Sequence, residues 1–354
     1  MRKWSFLLLA VIFFVTPLAA CRSRSSNTTA QAGSSASGGA LFNKVKSRGK
    51  LLCGVSGNLP GFSYVDQQGK YSGLDVDICR AIATAMFDDP EKVEYRNLNA
   101  KERFTALQAG EIDVLSRNTS MTMNRDTAQG IEFAPVVFYD SQTIMVKKAA
   151  GVKDLKGLQG KSICVQTGTT TEQNLSDQMR KAGVKYTPIV FEEVDPTFAA
   201  YQEGRCQGVT SDRSQLVSRR SKLPNPDDNV ILDVVMSKEP LAPAVKKGDP
   251  QWTDTVRWVI YGLMEAEEQG ITSKNIDQFA SSTDPVVKRL LGTEGTLGKD
   301  IGLTNDFLAR AIRKVGNYGE IYERNLGQST AFKLKRGQND IWEKGGLMYS
   351  PPFR

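Results

Sequence analysis

The sequence predicts an α/β protein of two lobes joined by two crossover strands. Three observations predict it. Strand-like and helix-like stretches alternate from Lys50 to Leu115, the order of a largely parallel sheet. The alternation resumes at Lys161 and runs to Thr210. Two extended stretches, one from Ile131 to Val146 and one from Ile231 to Met236, carry the chain out of the first half and back. A ligand enclosed between lobes of this kind can drive hinge closure.

The N-terminus is not part of that fold. Arg2 and Lys3 precede an apolar run from Trp4 to Val15, and Leu18-Ala19-Ala20-Cys21 follows. A basic tip, a short apolar core and small residues make a secretory signal, too short for a comfortable membrane span. An uncleaved anchor is the alternative. Residues 22–40 are rich in Ser, Ala, Gly and Thr and read as a flexible tether. The expected organisation is a signal at 1–20 and a tether at 21–40. The first part of lobe 1 takes 41–140, lobe 2 takes 141–235, lobe 1 returns over 236–285, and a helical extension fills 286–354.

The elements follow in order. A short helix at 41–49 ends at Gly49, and Lys50 to Val55 is a first strand. The loop 56–64 has Gly and Pro punctuation. Gly73-Leu74-Asp75 opens a helix with Val76, Ile78, Ile82, Ala85 and Met86 roughly on one face. Residues 92–95 form a second strand. Asn99 and Glu102 have the spacing of a capping box for a helix over 100–109, which Gly110 ends. Residues 112–115 are a short buried strand. In the second half, strands are expected at 161–166, 187–191 and 206–210, with a helix at 197–202. Residues 251–268 form a helix whose apolar side holds Trp252, Val256, Val259, Ile260 and Met264. Shorter helices are expected at 285–291, 304–314 and 317–325.

Composition excludes several classes of function. The 354 residues are 40% hydrophobic and 24% charged, a globular composition with length for two domains. The formal charge of +7 is scattered, without a compact basic and aromatic tract, so nucleic acid is not an expected partner. The absence of histidine removes Ser-His, Cys-His and histidine-base mechanisms, and with the wide cysteine spacings it argues against a metal site. No cofactor is expected. An export signal permits disulfides. Cys53, Cys79, Cys164 and Cys206 allow three pairings, among which sequence arithmetic does not choose. The first two and the last two fall in separate halves. A Cys53–Cys79 bridge clips the first strand to its crossover helix, and Cys164 with Cys206 is the plausible second pair.

Candidate binding chemistry gathers where strands end. In parallel α/β sheets the carboxyl ends of strands form the ligand crevice. The polar run after residue 115 holds Ser116, Arg117, Asn118, Thr119, Ser120 and Thr122, and then Arg125. Hydroxyls and amides supply hydrogen bonds, and a guanidinium grips a carboxylate bidentately. In the second half, Thr167-Gly168-Thr169-Thr170-Thr171-Glu172 enters a helix and offers N–H groups and hydroxyls to an anion. Asp212 lies just beyond a strand, ready for a cation or to cap the next helix.

Several blocks in order carry a family resemblance. They are Gly73-Leu74-Asp75-Val76-Asp77-Ile78-Cys79-Arg80, the run from Ala100 to Gln108, Arg117-Asn118-Thr119-Ser120, Arg125-Asp126-Thr127, the run from Gln166 to Glu172, and Ser237-Lys238-Glu239-Pro240-Leu241. Over about 42–327 the chain resembles the solute-binding proteins of bacterial ABC importers for polar amino acids, specifically the general L-amino-acid-binding branch. The resemblance implies a type II periplasmic-binding-protein fold that captures free polar L-amino acids, with glutamate, glutamine, aspartate and asparagine as candidates. It implies delivery to an inner-membrane permease complex.

Residue by residue, the resemblance places the α-carboxylate on Arg125, with Gly168, Thr169 and Thr170 completing that site. Asn118, Thr119 and Ser120 supply polar contacts. Asp212 takes the α-ammonium, and Phe62 packs over the ligand. Asn58 and Gln142 are side-chain contacts. Arg117 stands where narrower relatives carry a small hydroxyl residue, so it either favours acidic or amide side chains or pairs with a protein carboxylate. Met121 replaces an aromatic residue of the branch and is expected to alter pocket shape.

Leu18 to Cys21 resembles the lipobox of bacterial lipoproteins, which implies lipidation of Cys21 and anchoring at the outer face of the cytoplasmic membrane. Plain cleavage and a soluble periplasmic form is the alternative. A monomer is expected. A sensing protein is a second reading, and a cleft enzyme such as an amino-acid dehydratase a third. A lone cleft Asp supplies no acid/base constellation, so no catalysis is expected.

Overall fold

A computed structural model describes residues 39–354. The signal, Cys21 and the tether as far as residue 38 lie outside the described residues. The first half contains α1 (Ala40–Arg48), β1 (Leu51–Val55), β2 (Asn58–Leu59), β3 (Ser63–Val65), β4 (Tyr71–Ser72), α2 (Leu74–Phe87), β5 (Val93–Asn97), α3 (Arg103–Ala109), β6 (Val114–Leu115), α4 (Met123–Ala128) and β7 (Ile131–Phe133). Then come β8 (Phe138–Lys147), β9 (Ser162–Gln166), α5 (Thr170–Lys181), β10 (Thr187–Phe191), α6 (Val194–Gln202), β11 (Gly208–Asp212), α7 (Arg213–Arg220), β12 (Asn229–Ile231), β13 (Ser237–Leu241) and β14 (Ala244–Lys246). The helices α8 (Pro250–Glu268), α9 (Pro285–Leu290), α10 (Leu297–Asp300), α11 (Phe307–Val315) and α12 (Tyr318–Asn325) complete the chain.

Two sheets result. One has the order β5-β1-β6-β14-β7, parallel through its first three strands and antiparallel where β14 joins. The other has the order β10-β9-β11-β8-β12, and β13 also pairs with β8. The chain passes between the sheets along β8 and returns along β13, two antiparallel strands bonded to each other. The small β2-β3-β4 sheet stands beside the first.

Local chemistry accounts for the elements that hold the site. Gly73 precedes α2 with φ +127°, and a Cβ there would lie 2.1 Å from the Phe62 carbonyl oxygen. Only glycine permits that approach, which lets the Asp75 N–H donate to Phe62 O at 2.9 Å. Asp249 caps α8 by accepting from Trp252 N, and its other oxygen accepts from Leu41 N and Phe42 N, tying α1 to α8. Trp252 is fully buried and donates its indole N–H to Asp113 O at 2.9 Å. That bond anchors the long helix just before β6.

Several boundaries differ from the sequence expectation. The strand expected at 112–115 contains only Val114 and Leu115, although Asp113 N donates to Leu52 O at 2.8 Å while its carboxylate accepts from Leu52 N and from Arg48. The capping box at Asn99 and Glu102 is made in both directions, at 2.9 and 3.0 Å, but α3 proper starts at Arg103. The return strand starts at Ser237, not at Ile231. Before it Val235 is exposed, while Leu232 and Met236 are buried and donate to Ile144 O and Gln142 O of β8, both at 2.9 Å, so this stretch follows β8 without forming a continuous strand. Cys206 precedes β11 rather than lying within it.

Cysteine pairing is Cys53–Cys79 and Cys164–Cys206. The first joins β1 to α2 and the second joins β9 to the turn before β11. A Cys53→Ala/Cys79→Ala variant should lose about 3 kcal/mol of stability, by freeing the unfolded chain and opening a small void in the core. Urea unfolding measures this. A loss below about 1 kcal/mol would show that packing alone seats α2 on β1.

Candidate functional site

The site grows from the end of β6. After Leu115 the chain turns toward β13. Ser120 bridges Leu241, Met121 N donates to Pro240 O at 2.8 Å, and Ala242 N donates to Thr119 O at 3.0 Å. The polar run is therefore pinned to the return strand. Asn118 holds φ +25°, a conformation Asn tolerates better than most residues. Its N–H donates to the buried Asp75 carboxylate at 3.1 Å. Thr122 caps α4 by accepting from Arg125 N. This places Arg125 in the first turn, where its Nη1 donates to Ser120 O at 2.8 Å.

The opposite wall comes from the second sheet. Thr169 caps α5 through Glu172 N, so the helix N-terminus and Thr170 face the polar run. Glu172 reaches back to accept from Gly168 N and Thr167 Oγ1, closing the turn. Asp212 ends β11. It occupies the cap position of α7 but makes no cap hydrogen bond. One of its buried oxygens has no hydrogen-bond partner.

These walls close on a tight cavity of about 20 Å3, room for about one water molecule. From the first lobe it is lined by Arg103, Arg117, Asn118, Ser120 and Arg125. From the second come Gln166, Thr169, Thr170 and Thr171, with Ser211, Asp212 and Gln215. An apolar groove beside Trp258, Phe307 and Phe353 lies on the C-terminal extension and lacks such converging polar groups. Among the described residues no group of His, Cys, Asp and Glu is arranged to hold a metal, and no helix is long and apolar enough to cross a membrane.

Electrostatics set this cavity apart. Arg103, Arg117 and Arg125 are all buried, yet among the described residues none forms an ion pair. Burial lowers the proton affinity of all three. For Arg117 the value falls to about 10, with the Asp75 charge opposing the fall. Burial likewise raises Asp75 to about 7, with the Asn118 N–H opposing. Burial, and then the charges of Asp140 and Glu239, push Asp212 well above the ordinary carboxylate range. An uncompensated buried charge is costly, so the cavity favours a ligand that brings anionic and cationic groups together.

The structure places the sequence candidates unevenly. Arg125, Arg117, Asn118, Ser120, Thr169, Thr170 and Asp212 line the cavity. Thr119 and Gly168 stand just behind, each accepting a long hydrogen bond from Arg103. Phe62 does not pack over the cavity. Its ring sits in the first-lobe core, 5.1 Å from Phe138, because its carbonyl is tied to the start of α2. Asn58 lines a neighbouring polar chamber with Asn97, Asn99 and Glu102, and its carbonyl accepts from Arg219. Gln142 is fully buried beside the second wall, donating to Thr171 O and Thr210 Oγ1. Met121 is 40% exposed on an outer groove with Phe133 and Tyr139, so it does not shape this cavity.

Sequence reasoning missed Arg103 and Glu239. Arg103 falls three and four residues before the buried Ala106 and Leu107, on the core face of α3. A charge on that face was a readable signal. Glu239 shares a strand face with the buried Leu241. It accepts from Ser120 Oγ, Thr170 Oγ1, Asn174 Nδ2 and Ser237 Oγ. Thr171 belongs to the Gly-Thr turn whose hydroxyls suit an anion, whereas Gln166, Ser211 and Gln215 carried no comparable signal.

Comparison with known proteins agrees with this geometry. A sequence profile of bacterial extracellular solute-binding proteins, family 3, matches residues 51–278. The general L-amino acid-binding periplasmic protein AapJ of Rhizobium johnstonii is 52% identical over 324 residues, covering 91% of this chain and 95% of the relative. The glutamate/glutamine/aspartate/asparagine-binding protein BztA of Rhodobacter capsulatus is 48% identical, covering 90% and 95%. A solved ABC transporter/periplasmic binding protein from Brucella ovis, with glutathione bound, superposes with a TM-score of 0.86 at 48% identity, covering 88% of this chain and 99% of that one. A family profile spanning more than half the chain and relatives that align over nearly its whole length carry one conclusion: the chain belongs to the bacterial extracellular solute-binding proteins of family 3, with their two-lobed type II periplasmic-binding-protein fold.

Proposed function

We propose that this protein captures free polar L-amino acids between its lobes and hands them to the permease of an ABC importer. Glutamate, glutamine, aspartate and asparagine are the first ligands to test. One observation carries the reading: three buried arginines without ion pairs face a buried Asp212 with an unpartnered oxygen across a small cavity. An α-amino acid supplies the carboxylate and the ammonium that such walls lack. Arg125 and the N-terminus of α5, with Thr169 and Thr170, take the α-carboxylate. Asp212 takes the α-ammonium, and Asn118 and Ser120 add polar contacts. Arg117 meets the ligand side chain.

Some of the contacts that join the closed lobes are exposed. Lys101 pairs with Glu192 at 2.7 Å with both side chains exposed, and Asn99 donates to Glu193 at 2.7 Å. Exposed pairs of this kind contribute little, whereas Ser218 Oγ donates to Pro60 O at 2.8 Å and Arg219 to Asn58 O at 2.7 Å, and a bound ligand adds its own contacts to these in the open-closed balance. Export, lipidation of Cys21 and a monomeric form at the outer face of the cytoplasmic membrane complete the proposal. The relatives AapJ and BztA are named as binding proteins, which favours binding over catalysis.

A calorimetric panel of acidic, amide, neutral and basic L-amino acids on residues 41–354 tests the reading. Tight binding of none of them would overturn it. Arg125→Ala should weaken every bound amino acid by roughly 100-fold or more, the scale of an unpaired buried charge. Weakening confined to acidic ligands would instead assign Arg125 to the side chain. Arg117→Ala should weaken acidic and amide ligands more than alanine, and affinities equal to the parent across the panel would remove its specificity role.

A further inference from the structure

We propose that the end of the second lobe remote from the cleft is a docking surface for an anionic phospholipid membrane. The inference goes beyond amino-acid capture and needs no lipid on Cys21. It needs only the export that the N-terminal signal implies. Along the sequence the basic residues concerned lie between 156 and 205 and read as scattered.

Topology collects them. Strands β9, β10 and β11 run parallel, and two of their carboxyl ends carry Gln166 and Asp212 of the cavity lining. Their amino ends therefore meet at the opposite edge of the sheet. Lys161 directly precedes β9, Lys185 stands shortly before β10, and Arg205 shortly before β11. Helix α5 leads from the cleft back to this edge, with Arg180 and Lys181 in its last turn. Lys156 lies in the turn that enters β9. Hydrogen bonds tie these turns together. Gly160 N donates to Lys185 O at 2.7 Å, Lys185 N to Gln159 Oε1 at 3.0 Å, and Ser162 Oγ to Arg205 O at 3.1 Å.

The positive charge here is largely unmatched. Lys156, Arg180, Lys181, Lys185 and Arg205 are exposed, and Lys161 is half-buried. Among the described residues these four lysines form no ion pair, whereas Lys50, Lys101, Lys288 and Lys314 do. Arg180 pairs with Asp177 at 2.5 Å, and Asp154 and Glu203 are further acids near this edge. Toward β12 the surplus ends, where the turn with Lys148 packs on the one with Asp227 and Asp228. Acids gather at the cleft end instead, where Glu192, Glu193 and Asp195 follow β10. The lobe is thus polarised, basic away from the cleft and acidic at its rim.

The chemistry of the array selects the partner. None of these six residues lines a cavity described above. Ammonium groups on separate turns are point charges on flexible stems, without the planar fork that grips one phosphate or carboxylate. Such an array suits a laterally continuous anionic surface. An exported chain meets that surface as a layer of phospholipid headgroups. Contact through this end leaves the cleft uncovered, because the cavity lies at the other edge of the same sheet.

Vesicle sedimentation of residues 22–354, the mature chain without Cys21, tests the surface. The protein should bind mixed phosphatidylglycerol and phosphatidylcholine vesicles at about 0.1 M salt and leave them at about 0.5 M. It should ignore pure phosphatidylcholine. Lys156→Gln/Lys181→Gln/Lys185→Gln should weaken binding by roughly 100-fold, about fivefold for each lysine. Lys92→Gln/Lys274→Gln/Lys299→Gln removes the same charge from exposed lysines outside the second lobe. This control should change binding by less than about threefold, since its lysines lie beyond the screening length. Circular dichroism checks folding, and Lys156→Gln/Lys185→Gln replaces the first triple variant if that one does not fold. A parent that ignores anionic vesicles would overturn the proposal. Equal losses in the two triple variants would also overturn it, by assigning the attraction to net charge alone. So would binding that persists at high salt. A protein that docks on anionic vesicles but binds no amino acid would keep this surface and overturn the functional reading instead.

Discussion

The Glu239 carboxylate is the junction on which the site depends. It sits on β13, one of the two strands that run between the sheets. Ser120 brings it a donor from the first-lobe polar run, and Thr170 and Asn174 bring donors from the first turns of α5. A buried carboxylate demands such partners, and here they belong to both walls of the cavity. The same bonds orient Ser120 and Thr170, two residues that face the ligand space. Strand β13, the polar run and the start of α5 are thus held by one acidic side chain.

Around that junction the protein keeps charges buried and only partly matched. Outside the cleft Arg80, Asp113, Arg219 and Arg310 also carry a buried unpartnered atom, but each has an ion-pair partner. Inside the cleft, Arg103 and Asp212 retain buried atoms without partners. The low dielectric that makes these groups costly alone makes them strong toward a complementary ligand. Binding energy and closure then have one source. In the proposed function, a ligand would supply the missing counter-charges when both walls surround it.

The C-terminal helices brace the strand on which the walls turn. Helix α11 packs on α2, and α12 packs on α8. The buried Tyr318 hydroxyl donates to Val137 O at 2.7 Å, just before β8. Asn339 accepts from Tyr139 N at 2.6 Å and donates to Tyr139 O at 3.1 Å, so one side chain serves as an added strand edge. These contacts hold the first residues of β8 against the first lobe.

Much of this was legible in the chain. The alternation of apolar period, the Asn99 and Glu102 cap, and Gly73 before α2 are local features, and the structure keeps them. The polar run with Arg125, the Gly-Thr turn and Asp212 could be chosen because residues after strand ends share one edge of a parallel sheet. Phe62 could not be excluded, because its burial follows from Gly73 and Phe138, remote in sequence. Arg103 and Glu239 show in their own segments only that a charge stands on a buried face. Their importance depends on contacts across 65 and 119 residues, made only when the lobes meet. Sequence by itself determined the local elements and the chemical types available at strand ends, because those depend on neighbours within a turn or two. Tertiary structure alone decided which charges would be buried without partners, because burial and pairing depend on which distant segments fold against them.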